Sequence, residues 1–284
     1  MDGLDARGVR KRFGDLVALD GFDLRIAPGE IVGLVGHNGA GKTTFVEIVA
    51  GLTRPDAGTV LVDGLDTATR TAHVRGRVGL APQEIGLYPP LTVRENLRLF
   101  AGLAGLRGRR QRAAIAETSA ALGLSEVLDR QVGHLSGGQR RRTQAATALV
   151  HHPRLLLLDE PTAGADPATR RALLQLVRRC AEDGTAVCYT THYLPELADL
   201  DATIAVAARG RIIARGTQAE LLAGIPAELR VVLSSGEERV LRSTDPARSL
   251  AGLVGEGLPL QAVDVRQPSL DDLYHALEAG RVVP

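Results

Sequence analysis

Cysteine is scarce: Cys180 and Cys188 are the only two in 284 residues. Two thiols exclude a disulfide framework, and their spacing matches no metal site. Both are expected as small apolar residues in the interior, Cys180 on a helix and Cys188 on a strand. Lysine is as rare, with only Lys11 and Lys42 among 34 basic residues. Arginine carries the remaining positive charge, which makes Lys42 conspicuous, because a planar guanidinium is a poor substitute there for a compact ammonium. Nothing approaches about eighteen uninterrupted apolar residues, so no membrane-spanning helix is expected. A net charge of +1 supplies no long-range field for nucleic acid or a membrane surface. The opening Met1-Asp2-Gly3-Leu4-Asp5 is acidic and lacks an apolar signal core, so a cytoplasmic location is expected.

What is present fits a globular chain, with 44% hydrophobic and 24% charged residues in a length suited to one large domain with an appendage. Short β-like runs come first, at 8–13, 16–19, 22–26 and 30–35, and a further strand at 58–63 is closed by Gly64. Helical periodicity follows at 93–103, 112–122 and 138–150, and Thr92 with Glu95 forms a capping box. From Leu155 strands and helices alternate: strand 155–159, helix 167–181 opened by proline, strand 186–190, a short helix from Tyr193, then strands 203–208 and 211–215. Alternation of this kind implies an α/β fold with a parallel sheet. Character changes near Gly224-Ile225-Pro226, so residues 1–224 are expected as the main domain. Residues 225–284 are expected as a small ββαβα appendage, its closing helix 269–279 capped by Ser269 and Asp272.

Three segments carry chemistry. Gly36-His37-Asn38-Gly39-Ala40-Gly41-Lys42-Thr43, followed by Thr44, fits G-x-x-x-x-G-K-[ST] between an apolar strand and a helical run. There glycines let the backbone wrap phosphates, Lys42 reaches the outer ones, Thr43 offers a hydroxyl to Mg²⁺, and the helix N-terminus adds partial positive charge. Four leucines run into Asp159-Glu160, which places two carboxylates at the ligand-binding edge of a parallel sheet. Asp159 is expected to hold magnesium through water, and Glu160 to orient or deprotonate an attacking water. Finally, Ser136-Gly137-Gly138-Gln139 opens a helix with a second cluster of backbone N–H groups suited to an anion. Two anion-gripping surfaces in one chain either fold onto one nucleotide or share it with another copy.

With these landmarks in order, the chain resembles an ATP-binding subunit of an ABC transporter over about residues 4–224. The resemblance implies a P-loop NTPase core with a parallel sheet, an antiparallel β subdomain and an α-helical subdomain at about 84–140. It implies ATP and Mg²⁺ as cofactors, with Thr43, Gln83 and Asp159 toward the metal. Phe13 matches the aromatic that stacks on adenine; on sequence alone a core phenylalanine is nearly as good a reading. Gln83 matches the glutamine that contacts Mg²⁺ and senses the transporter, Asp166 an aspartate at the dimer seam, and His192 the switch histidine near the γ-phosphate. Ala165 replaces a usual leucine. In this family residues 136–139 complete the neighbouring subunit's site, so two copies clamp ATP head to tail. A homodimer and an integral-membrane permease are the implied partners, with the chain peripheral on the inner face of the membrane and no nucleic acid expected.

Residues 265–274 and 87–97 resemble drug-exporter ATPases of the daunorubicin-resistance type, so export of drugs or other amphipathic compounds is expected. Apolar residues in 84–100 serve either core packing or a groove for a permease helix. Arg107, Arg109, Arg110 and Arg112 are read as a solvated cluster or a lipid-headgroup contact. Arg140, Arg141 and Arg142 are read as positive potential beside the 136–139 turn. The alternative function is a soluble ABC ATPase acting on ribosomes or DNA; a nucleotide sensor without turnover is opposed by Glu160 and His192 together.

Overall fold

A computed structural model describes residues 3–269 together with Asp272, Leu273 and Ala276. Strand β1 (Leu4–Phe13) pairs antiparallel with β2 (Leu16–Ile26). β2 runs through the expected break at 20–21, because the pairing passes from Arg10↔Asp20 to Val9↔Phe22 and leaves Gly21, at φ 81°, as a bulge rather than a turn. Next come β3 (Ile31–Val35), α1 (Lys42–Val49), β4 (Ala57–Val62), β5 (Leu65–Asp66), α2 (Thr71–Arg75) and β6 (Val78–Ala81). Strands β2-β1-β4-β5 form one four-stranded sheet.

Helices α3 (Val93–Leu103) and α4 (Gly108–Ala121) precede α5 (Gly137–Leu149), with short 3₁₀ turns between α4 and α5. The capping box of α3 is formed, with Thr92 Oγ1 accepting from the Glu95 N–H and Glu95 from the Thr92 N–H. The alternating half then gives β7 (Leu155–Asp159), α6 (Pro167–Glu182), β8 (Ala186–Thr190), α7 (Leu194–Asp199), β9 (Thr203–Ala208) and β10 (Arg211–Gly216). The six-stranded sheet has the order β10-β9-β3-β8-β7-β6, and β9, β3, β8, β7 and β6 run parallel. β6 was not legible in the sequence: its four residues include a glycine and are too short to show a period.

One core joins both sheets through α1. Phe45, Val46, Ile48 and Val49 are buried together with Leu4, Phe22, Val32, Leu157 and Cys188. The Phe22 and Phe45 rings stack with centroids 4.4 Å apart. Parallel strands with both faces covered read as continuous apolar runs, so the runs at 155–159 and 186–190 coincide with β7 and β8.

The chain divides into two compact units, Met1–Arg215 and Gly216–Pro284, a break nine positions before the expected one at 224/225. In the smaller unit α8 (Gln218–Leu222) precedes β11 (Ala227–Leu233), β12 (Glu238–Ser243), α9 (Pro246–Gly255) and β13 (Leu260–Arg266). Its sheet has the order β12-β11-β13, all antiparallel, over a core of Leu229, Val231, Leu233 and Leu253. The Ser269–Asp272 cap is present, its carboxylate accepting from the Ser269 N–H at 2.8 Å. Most of the expected helix 269–279 lies outside the described residues.

Candidate active site

Four turns leave the same edge of the parallel sheet: residues 36–41 after β3, Pro82 and Gln83 after β6, Glu160 after β7, and Thr191 and His192 after β8. Loops at the carboxyl ends of parallel strands converge on a crevice. The cleft there, of 240 Å³, is lined by Leu16, Ala18, the stretch Asn38 to Thr44, Gln83, Asp159 and Glu160.

The phosphate loop is built from backbone. A Cβ at Gly36 would lie 2.5 Å from the Ala207 oxygen, and one at Gly41 2.6 Å from the Ala18 oxygen, with Gly41 also at φ 98°. Only glycine fits either place. Lys42 Nζ donates to the carbonyls of Gly36 at 2.5 Å and His37 at 3.2 Å, which folds the loop around the ammonium. Burial lowers the Lys42 pKa, and the charges of Glu160 and Asp159 oppose that shift.

Asp159 and Glu160 are held by one neighbour the sequence reading missed. Thr190, fully buried and opposite Asp159 in the β7–β8 register, donates its hydroxyl to Asp159 Oδ1 and accepts the Glu160 N–H at 3.0 Å. Thr43 Oγ1 donates to the other Asp159 oxygen at 3.3 Å. Glu160 sits at φ 46°, receives Gln83 Nε2 on Oε2 at 3.1 Å, and has His192 Nδ1 3.3 Å from Oε1. His192 itself is 76% exposed, reaching out of the fold rather than into it.

A buried carboxylate behind His192 was also missed. Glu196 on α7 is 2% exposed and accepts from Thr162 Oγ1 at 2.7 Å, Tyr189 Oη at 3.0 Å and Thr191 Oγ1 at 3.2 Å. Arg170 of α6 forms an ion pair with it at 3.0 Å. One carboxylate thereby ties the turn after Glu160, the end of β8 and α6 into a single block. Burial, and then the Glu196 charge, raise the Tyr189 pKa, so its hydroxyl stays a donor. The only sequence signal was a glutamate in a short helix, which reads as surface.

Other expected residues lie elsewhere. Phe13 is 48% exposed beneath the Lys11 ammonium, which removes the core reading. Ser136, Gly137, Gly138 and Gln139 are absent from the cleft lining. Ser136 and Gln139 instead form the capping box of α5, Ser136 Oγ accepting from the Gln139 N–H at 3.2 Å. Asp166 caps α6, accepting from the N–H groups of Ala168 and Thr169, and a Cβ at Gly138 would lie 3.0 Å from its Oδ2. Thus residues 136–139 and Asp166 share one surface. Arg109, Arg110, Arg112 and Arg140 are exposed, in keeping with a solvated cluster. Arg141 donates to the Gln83 carbonyl at 2.6 Å, Arg142 to that of Leu122 at 3.1 Å, and Arg107 to that of Gly102 at 2.5 Å, so these three cross-link the fold. Cys188 is buried as expected, whereas Cys180 is only partly so.

A phosphate loop after β3, two carboxylates at the end of β7 and the Thr190 hydroxyl on β8, the strand between them, define a P-loop nucleotide hydrolase. A family model described as ABC transporter matches residues 19–163. Daunorubicin resistance ATP-binding protein DrrA2 of Streptomyces coeruleorubidus is 38% identical over 99% of this chain and 97% of its own length. Nod factor export ATP-binding protein I of Burkholderia thailandensis is 40% identical over 77% of this chain and 72% of its own. Among solved structures, a post-hydrolysis state of the ATP-binding cassette MJ0796 bound to ADP and Pi aligns with TM-score 0.69 and 27% identity, covering 75% of this chain and 98% of that one. The chain belongs to the ABC transporter family, as an ATP-binding and ATP-hydrolysing subunit. No described helix is long and apolar enough to cross a membrane; subunits of this kind work with membrane permease components.

Proposed function

We propose that the chain powers export of drugs or other amphipathic compounds by closing on ATP as a head-to-tail homodimer bound to a permease at the inner membrane face. The observation that carries the dimer is a division of the site. The cleft gathers the phosphate loop, Gln83, Asp159 and Glu160, while residues 136–139 and Asp166 stand together off its lining. A partner's 136–139 turn, presenting free N–H groups at a helix N-terminus, would complete the anion grip.

In this reading Lys42 and the loop N–H groups hold the outer phosphates, and Phe13 supplies an exposed ring for adenine. Glu160 orients or deprotonates the attacking water, steered by Gln83 on one oxygen and His192 on the other. The oxygen donors Thr43, Asp159 and Gln83 fit a magnesium ion, which would neutralise charge developing on the phosphates. A cleft of 520 Å³ lined by Leu52, Leu80, Pro82, Phe100 and Leu103 is wide and apolar enough for one turn of a permease helix, and Gln144 in its wall bonds the Glu84 carbonyl next to Gln83. Export, and drugs as cargo, rest on the names of the relatives.

Mixed dimers test the shared site. Lys42→Ala and Ser136→Ala subunits combined are expected to recover turnover that neither has alone, since one intact site forms; no recovery would refute the sharing. Glu160→Gln is expected to bind ATP and lose turnover by at least a hundredfold, read in single-turnover assays. Purification in mild detergent is expected to bring down a polytopic partner rather than ribosomes or DNA.

A further inference from the structure

The back of β2 faces a second cleft in the larger unit. Side chains alternate along a strand, so Leu16 and Ala18 line the nucleotide cleft while Val17 lines a separate one of 620 Å³. Val17 and Ala57 give it an apolar floor, and Arg10, Arg12 and Arg209 stand around it. Two carboxylates share the lining, and both are taken. Asp20 accepts from Arg211 at 2.6 Å, and Asp56 accepts from Lys11 Nζ at 2.8 Å and the Arg12 N–H at 2.7 Å. Arg10 makes only a 3.9 Å pair with Asp20, and the guanidiniums of Arg12 and Arg209 make no hydrogen bond or ion pair among the described residues. In a chain of net charge +1, this is a local concentration of unneutralised cation over an apolar surface.

The wall carrying Arg209 is bonded to the phosphate loop. The Gly210 N–H donates to the Ala40 carbonyl at 3.2 Å, and the Asp20 N–H donates to the Gly210 carbonyl at 2.9 Å. The same strand also packs directly on the loop, since a Cβ at Gly41 would lie 2.6 Å from both the Ala18 oxygen and Leu19 Cδ2. A displacement of the 209–210 turn therefore reaches the loop that holds nucleotide phosphates.

We propose that this cleft binds a phosphate monoester carrying an apolar body. The phosphate lies between the Arg12 and Arg209 guanidiniums, whose forked donors match its oxygens, and the body covers Val17 and Ala57. Occupancy changes nucleotide affinity through the Gly210–Ala40 bond. Such a group comes either from a soluble organophosphate or from a lipid headgroup.

The full chain, with its nucleotide cleft saturated by ADP, is titrated calorimetrically with 1-naphthyl phosphate. In a second arm it is sedimented with phosphatidylcholine vesicles containing phosphatidic acid. The Arg12→Gln/Arg209→Gln double variant is compared in both arms, and its unaltered ADP affinity without either probe serves as the check on folding. At least tenfold weaker binding by the variant in one arm supports the site and identifies the source. A twofold or larger change in ADP affinity when the wild-type cleft is filled supports the coupling. Equal binding by wild type and variant in both arms, or binding abolished by ADP, overturns the proposal.

Discussion

Thr190 shows how much one small side chain can fix. Its hydroxyl serves Asp159 and the Glu160 N–H together, so two adjacent carboxylates are aimed by a residue that touches no nucleotide phosphate in any simple pose. At the same scale the phosphate loop is intolerant of a single carbon. Gly36→Ala is expected to cost about 1–3 kcal/mol, because the added Cβ meets backbone that cannot retreat. Nucleotide binding should fall with it, and Gly252→Ala, on α9 with open space around it and no left-handed φ, gives a mild comparison measured by urea unfolding and ADP titration. The thiols offer another test. Burial pushes Cys180 up to about 11 and Cys188 up to about 12. At pH 8 the Cys180 thiolate is then about a hundredfold scarcer than for an ordinary cysteine, so alkylation should be slow at Cys180 and wait for unfolding at Cys188.

Among the elements, α7 matters beyond its six residues, because Glu196 binds three hydroxyls and Arg170 around the His192 turn. Glu196→Ala should destabilise by about 2–4 kcal/mol, the half-exposed Arg170 recovering part of its hydration. Turnover should fall more than ADP affinity, read by comparing kcat with the ADP dissociation constant. The cap of α6 gives a pH test. The Thr169 N–H, the largest cause, holds the Asp166 carboxyl below the usual range. A depressed carboxylate stabilises the fold fully above its unfolded pKa and ceases to do so as pH falls through the folded value, so Asp166→Ala should narrow its difference from wild type on acidification. Strands with both faces covered and helices with polar caps were legible, since apolar runs and Thr-x-x-Glu spacing carry them. Glu196, Thr190 and the arginine cross-links were not, because a charged or hydroxyl residue looks the same in sequence whether its partner is water or a carbonyl 58 positions away, as for Arg141 and Gln83.

For the whole molecule, two cores predict two responses. The phosphate loop, both carboxylates and the proposed second cleft all belong to the unit Met1–Arg215, while Gly216–Pro284 has a small core of its own. ATP at a hundredfold excess over its dissociation constant should stabilise the first unit by about 2.7 kcal/mol. Hydrogen exchange should then slow in β3 and α1 but not in β11 or β13. Slowing in both would mean that nucleotide binding reaches the smaller unit.

Glu160 occupies φ 46°, a region that a long side chain adopts at a cost of about 1–2 kcal/mol. Asparagine enters that region more readily, so Glu160→Asn should leave the fold at least as stable while ending turnover, checked by thermal unfolding beside an ATPase assay. Activity and stability thus pull against each other at one backbone bend. A duplicated copy released from the demand to hydrolyse ATP would have a physical reason to change first at this position, and an asparagine or glycine there would mark such a copy as a binder that no longer turns over.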